Sequence, residues 1–297
     1  MKNLLILAVI FLSACTSQIA ENYQVTDWVS DNTFTQGVEG PAVDKNGHLF
    51  AVNFAKEGTI GKVDSSGKAE LYIELPEGSI GNGIRFNQVG DMFIADYKGH
   101  NILKVTANSL TVSVYVHNDK MNQPNDIAIM QSGILFASDP NWSESSGQLW
   151  RIDTDGSTRL IESDMGTTNG IEVSPDQKHL YVNESVQRKV WIYDIDSKNE
   201  LINKRLLIEF DDFGLDGMRS DNKGQLYIAR YGKGVIAVVS PEGKLLREIA
   251  LKGKHPTNIA FGGKSGKQVF VTMQKRGAIE TFNVKNAGAS FVESKNN

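Results

Sequence analysis

The chain predicts an all-β fold, a six-bladed β-propeller, and the prediction rests on a repeat, on the spacing of that repeat and on the lack of any helical period. A turn followed by alternating apolar residues around one aromatic recurs six times, centred on Phe50, Phe93, Phe136, Tyr181, Tyr227 and Phe270. These aromatics are 43, 43, 45, 46 and 43 residues apart. No segment keeps a 3.6-residue period long enough for a major helix, whereas two-residue alternation flanks every copy. Four short strands in a unit of this length match one propeller blade, and closing the copies around an axis limits the exposure of sheet edges.

Within a copy the elements follow in a fixed order. A first strand precedes the motif (Ile84 and Phe86, Ile127 and Ile129, Ile171 and Val173), and the motif itself is the second. A third follows it, as in Leu149-Trp150-Arg151-Ile152 and Val190-Trp191-Ile192-Tyr193, and a shorter fourth comes last, as in Val114-Tyr115-Val116 and Leu206-Leu207-Ile208. Turn-forming residues separate them, for example Asp44-Lys45-Asn46-Gly47 and Asp221-Asn222-Lys223-Gly224. The sixth copy has only Phe291-Val292, in a polar tail, for its fourth strand. The segment from Tyr23 to Val29, with Tyr23, Val25 and Trp28, is expected to supply that strand and close the ring.

Composition narrows the functional classes. Of 297 residues 40% are hydrophobic and 22% charged, which excludes wholesale disorder and a polytopic membrane protein. A net charge of −4, with no long run of either sign, gives no electrostatic case for nucleic acid. The single cysteine, Cys15, excludes a disulfide framework and a thiolate metal cluster within one chain. Before it stand Lys2, an apolar run from Leu4 to Leu12, and the small residues Ser13 and Ala14. That run is too short for a membrane-spanning helix, which needs about 20 residues. Leu12-Ser13-Ala14-Cys15 resembles a bacterial lipobox. The resemblance implies a leader over residues 1–14, a lipidated Cys15 and tether over 15–22, and a propeller domain over 23–297. It also implies a chain held by its lipid in the bacterial cell envelope, on the periplasmic side of the outer membrane where the host has two membranes; separately, a monomer is expected.

The residues that open the first strand of each copy point to chemistry. They read Glu39-Gly40-Pro41, Asn82-Gly83-Ile84, Asn125-Asp126-Ile127, Asn169-Gly170-Ile171, Asp216-Gly217-Met218 and Thr257-Asn258-Ile259. First strands are innermost in a propeller, so Glu39, Asn82, Asn125, Asn169, Asp216 and Thr257 should converge at one end of the channel. Asn-Gly and Asp-Gly also mark turns, but each copy already has its own glycine turn downstream. All the donors are hard oxygens, which favours calcium, with magnesium second, over zinc or copper. Glu39 and Asp216 balance a divalent charge, and Asn125 and Asn169 add amide oxygens. The ends of the second strands, Asn53, Asp96, Asp139, Glu184, Arg230 and Met273, return to the same face and should form a polar mouth. From these regions Asn82, Gln123, Asp126, Asp139 and Arg230 are the candidates to bind a substrate.

On Glu39-Gly-Pro, Pro-Asn125-Asp126, Asn169-Gly-Ile-Glu-Val-Ser-Pro-Asp and Asp216-Gly-Met, residues 35–285 resemble the senescence marker protein, gluconolactonase and regucalcin-like group of calcium-dependent propeller hydrolases. In architecture that group also resembles diisopropyl-fluorophosphatase and the paraoxonases. The resemblance implies a metal shell of Glu39, Asn125, Asn169 and Asp216, with Asp216 as the catalytic acid/base. It further implies hydrolysis of an ester-like bond, a lactone first. Members acting on sugar lactones often have an arginine where this chain has Gln123. The competing reading is a non-catalytic surface module braced by calcium. Gly-x-Ser-x-Gly, His-Glu-x-x-His and phosphate-loop motifs are absent from the sequence.

Overall fold

Six four-stranded antiparallel sheets surround a central channel in the computed structural model, which describes residues 23–107 and 109–290. Cys15 and the leader and tether assigned to residues 1–22 lie outside the described residues. Chain order is blade order. The first blade contains Ala42–Val43, Leu49–Val52, Thr59–Val63 and Ala69–Glu74, and the second Gly81–Phe86, Met92–Asp96, Asn101–Val105 and Val112–His117. Pairing runs consecutively from inner to outer strand in these blades and in the next three.

The last sheet is the exception, and it closes the ring. Its inner strands Pro256–Gly262, Gln268–Met273 and Ala278–Asn283 come from the end of the chain, and its outer strand, Thr26–Val29, comes from the beginning. Thr26 stands opposite Thr281 and Asp27 opposite Glu280, and a bulge then brings Val29 opposite Ile279. Arg276 fastens this seam with ion pairs to Asp27 (2.8 Å), Asp31 (2.5 Å) and Glu280 (2.7 Å). Burial opposes ionisation of Asp27, but its hydrogen bonds to Arg276 and Lys252 outweigh that and lower its pKa.

The period of the aromatics follows from how the blades pack. The described residues form six apolar clusters, and each lies between two neighbouring blades. Phe50 packs between blades one and two and Phe93 between two and three; the series continues to Phe270, between blades six and one. Each repeat therefore contributes one large ring to one interface, and all six rings are at most 5% exposed. Some meet another ring across that interface: Tyr227 contacts Phe261 edge-on at 5.1 Å and Phe50 contacts Phe86 at 5.5 Å. Such pairs add about 0.5–1.5 kcal/mol beyond area burial.

At the seam Trp28 rests on Phe270, ring centroids 5.6 Å apart. Because Trp28 is only half-buried, Trp28→Ala is expected to cost about 2 kcal/mol, below the range for fully buried aromatics. A urea titration checks this, and an unchanged midpoint would show that the seam does not depend on the contact.

Candidate metal and substrate site

The loops entering the inner strands are laced together across blade boundaries. Gly83 N donates to Asn125 O (2.8 Å), Gly217 N to Thr257 O (2.7 Å) and Thr257 Oγ1 to Val38 O (3.0 Å). Side chains join in, since Asn82 Nδ2 donates to Asn125 O (2.9 Å) and Asn183 Nδ2 to Asp216 O (2.6 Å). So close an approach leaves no room at Gly40, Gly83, Gly170 and Gly217. A Cβ on Gly217 would lie 1.9 Å from Asn258 Cγ, and one on Gly83 would lie 2.4 Å from Asp126 Oδ1. The glycines after Asn82 and Asp216 thus serve contact between blades, and the turns of the blades lie elsewhere.

This lacing brings all six ring positions to one cavity of about 360 Å³, lined by Glu39, Asn82, Asn125, Asn169, Asp216 and Thr257. Their chemistry then divides. Thr257 spends its hydroxyl on Val38 O and Thr272 Oγ1 (2.7 Å), and Asn82 donates to the backbone. Among the described residues six buried side-chain nitrogen or oxygen atoms lack a hydrogen-bond partner, and the two that can only accept are Asn125 Oδ1 and Asn169 Oδ1. Buried acceptors are normally satisfied, so two orphans in one ring call for a ligand.

The carboxylates give the same indication. Burial, reinforced by the charge of Asp126, raises Glu39 to about 7 against the bonds it accepts from Gly40 and Asn258. Burial and then the neighbouring charge of Glu39 push Asp216 well above the usual carboxylate range. Two carboxylates this close cannot both ionise cheaply without a cation between them. Two carboxylates and two amide carbonyls, all hard oxygens, form a donor set suited to calcium.

The ends of the second strands clamp the incoming loops, and Asn53 also lines a cavity. Asp139 Oδ1 accepts Gln123 N (2.6 Å) and its Oδ2 accepts Asn122 N and Trp150 Nε1 (both 2.9 Å). Asp96 accepts Ile80 N (3.0 Å), Glu184 accepts Gly166 N (2.8 Å) and Asn53 donates to Gly37 O (2.7 Å). Arg230 donates to the carbonyl of Asp212, pairs with the Asp212 carboxylate at 2.7 Å and stacks on Phe210 at 3.9 Å. Each is buried and clamps the loop that carries a ring residue 14 or 15 positions earlier in its own blade. Asp139 and Arg230, expected to bind substrate, are therefore loop clamps. Asp126, expected there too, is fully buried beneath the ring between Arg85 and Arg219.

Asn82 and Gln123 do reach open space. Gln123 lines a second cavity of about 480 Å³ with Lys98, His100 and Asn122, which shares Glu39, Asn82, Tyr97 and Gln274 with the first. The other walls of the first cavity are Tyr97, Trp142, Ser185, Tyr231 and Gln274, and sequence reasoning missed all of them. Tyr97, Ser185, Tyr231 and Gln274 lie four residues beyond the repeat aromatic, where the clamps lie three beyond. In an extended chain one residue of register exchanges inward for outward. The signal was present in the repeat, displaced by one position.

A closed ring of six blades, with a cavity at one mouth lined by oxygen-bearing and aromatic side chains, defines the class of six-bladed β-propellers. The model of the SMP-30/Gluconolactonase/LRE-like region matches residues 37–275, and the chain belongs to that family. It is 28% identical over 273 residues to the gluconolactonase of Zymomonas mobilis, covering 80% of this chain and 76% of that one. To the diisopropyl-fluorophosphatase of Loligo vulgaris it is 26% identical over 280 residues, covering 83% and 88%. The crystal structure of regucalcin, a calcium-binding protein from Agrobacterium tumefaciens, superimposes with a TM-score of 0.78 at 18% identity, covering 90% of this chain and 96% of that one. At that identity the likeness concerns the fold.

The raised carboxylates set a pH dependence with a definite sign. A buried carboxyl whose pKa exceeds its unfolded value destabilises the fold progressively as pH rises from the unfolded pKa to the folded one. For Glu39 that window runs from 4.5 to about 7. The calcium-free protein should thus be less stable at pH 8 than at pH 5.5, and calcium should raise the thermal midpoint more at pH 8. Calorimetric calcium affinity should be weaker at pH 5.5 than at pH 8, because binding must displace protons that Glu39 and Asp216 hold in the absence of a cation. Equal affinity at the two pH values would rule out this charge arrangement.

Proposed function

We propose that the protein is a calcium-dependent hydrolase of ester-like bonds, a lactonase first. The observation that carries this reading is the pair of partnerless buried oxygens, Asn125 Oδ1 and Asn169 Oδ1, converging with Glu39 and Asp216 on an open cavity. A metal that only braced a channel would have no need of that opening. The lactonases and phosphatase among its relatives support the same class.

Glu39, Asn125, Asn169 and Asp216 are the residues that would hold calcium, which when bound polarises a carbonyl oxygen toward attack by water. Calcium acidifies water much less than zinc does, so the chain must supply the base. Asp216 reaches the cavity among the other ring oxygens, a position from which its carboxylate can take the proton from an attacking water. Tyr97, Trp142 and Tyr231 offer flat apolar faces to a lactone ring, and Asn82 and Gln123 offer amides to its polar substituents. With Gln123 in place of arginine, that polar wall carries no fixed charge from this position.

On a panel of sugar, aliphatic and aromatic lactones, chelation should abolish hydrolysis and calcium readdition restore it. Asp216→Asn should lower kcat by about 10²–10⁴-fold while the protein remains folded. A fully active variant would remove Asp216 from the chemistry, and a panel with no hydrolysed member would favour the calcium-braced surface module.

Lipid anchoring at Cys15 is part of the proposal. Expressed in a bacterium, the full chain should incorporate labelled palmitate and sediment with membranes, and Cys15→Ser should lose both properties. Label retained in that variant would place the acylation elsewhere.

A further inference from the structure

Beneath the ring the channel holds an ionic tier that the proposed reaction does not use. Asp126 is fully buried, with Oδ1 3.0 Å from Arg85 Nη1 and Oδ2 3.1 Å from Arg219 Nη1. Inner-strand carbonyls anchor both guanidinium groups. Arg85 donates to Ile84 O (2.9 Å) and Ile171 O (3.1 Å), and Arg219 donates to Met218 O (2.7 Å). Glu172 stands 3.8 Å from Arg85 and is itself held by Ser220. Arginines from the second and fifth blades thus hold a carboxylate from the third at the middle of the channel.

Asn258 connects this tier to the ring above. Its Nδ2 donates to Asp126 Oδ2 (3.3 Å) and to Glu39 Oε2 (3.1 Å). Its Oδ1 accepts Ile259 N (2.9 Å), which fixes the amide with its NH₂ toward the two carboxylates. Gly40 N also donates to Glu39 Oε2, so both bonds that Glu39 accepts fall on one oxygen and leave Oε1 for the ring. The bare backbone at Gly83 and Gly217 is what admits Asp126 and Asn258 to these positions.

We propose that Asp126, clamped by Arg85 and Arg219, is the base of a positioning relay that acts through Asn258 to fix the orientation of Glu39 as a metal ligand. The relay rests on the calcium reading given above. Groups that orient ligands without touching the metal typically change its affinity by about 10–100-fold.

Calcium binding to the full chain, by titration calorimetry, tests the relay in the wild type, Asn258→Leu and Arg219→Lys, with kcat and KM for a hydrolysed lactone at saturating calcium. Asn258→Leu should weaken calcium about 10–100-fold. Arg219→Lys keeps the charge but displaces the donor that Nη1 now shares between Asp126 Oδ2 and Met218 O, and it should weaken calcium roughly 3–10-fold. Saturating calcium should bring kcat in both variants close to the wild type with KM unchanged. If Arg219 acted by charge alone, Arg219→Lys would bind calcium as the wild type does; if the tier were packing alone, the calcium-free thermal midpoint would fall with affinity unmoved. Either result overturns the relay. Should Asn258→Leu fail to fold, Arg219→Lys decides by itself. A wild-type chain that binds no calcium overturns the metal reading and the relay with it, an outcome distinct from variants that bind calcium with unaltered affinity.

Discussion

Neighbouring blades meet at the channel through backbone hydrogen bonds so close that at Gly83 and Gly217 a side chain would collide with the adjacent blade. The rest of the site depends on this contact. It brings Glu39, Asn125, Asn169 and Asp216, which are up to 177 residues apart in sequence, to the wall of one cavity. It also crowds two carboxylates and two partnerless amide oxygens together, and that crowding raises the carboxyl pKa values of Glu39 and Asp216. The blade interfaces supply the stability that offsets this local cost, through a buried aromatic contributed by every repeat.

Around the ring, each position of the repeat has a fixed assignment and varied chemistry. The residue three beyond the aromatic clamps an incoming loop in five blades, yet it is Asn53, Asp96, Asp139, Glu184 or Arg230 by turn. Asp96, Asp139 and Glu184 accept backbone N–H groups, whereas Asn53 and Arg230 reverse the polarity by donating to carbonyls. Burial tolerates all of them because each finds its partner in the backbone. The residue four beyond faces the cavity, and there Tyr97, Ser185, Tyr231 and Gln274 give the walls a mixed aromatic and polar character. A propeller can thus vary its cavity wall without disturbing the clamps one position away.

Below the ring, Asp126, Arg85, Arg219 and Asn258 give the channel a second layer in which fixed guanidinium charges hold a carboxylate. A buried ion pair of this kind contributes little net stability, since desolvation cancels most of the attraction. Its geometric effect is larger: the one amide group shared by Asp126 and Glu39 links the layer of arginines to the layer of candidate ligands.

The fold and the ring were legible in the sequence because both are periodic. An aromatic every 43 to 46 residues and an oxygen-bearing residue before each inner strand repeat whatever each blade faces, so one dimension suffices to find them. The closing strand at Thr26–Val29 was legible for a related reason, since the sixth repeat lacked an outer strand and the first residues alternated. Tertiary structure alone decided which side of a strand each polar residue faces at the mouth, where a single position of register separates the clamp Asp96 from the cavity wall Tyr97. It alone sent Asp126 down to Arg85 and Arg219 instead of up toward a substrate, because those partners lie 41 and 93 residues away and their meeting depends on the angles between blades, which no spacing along the chain encodes.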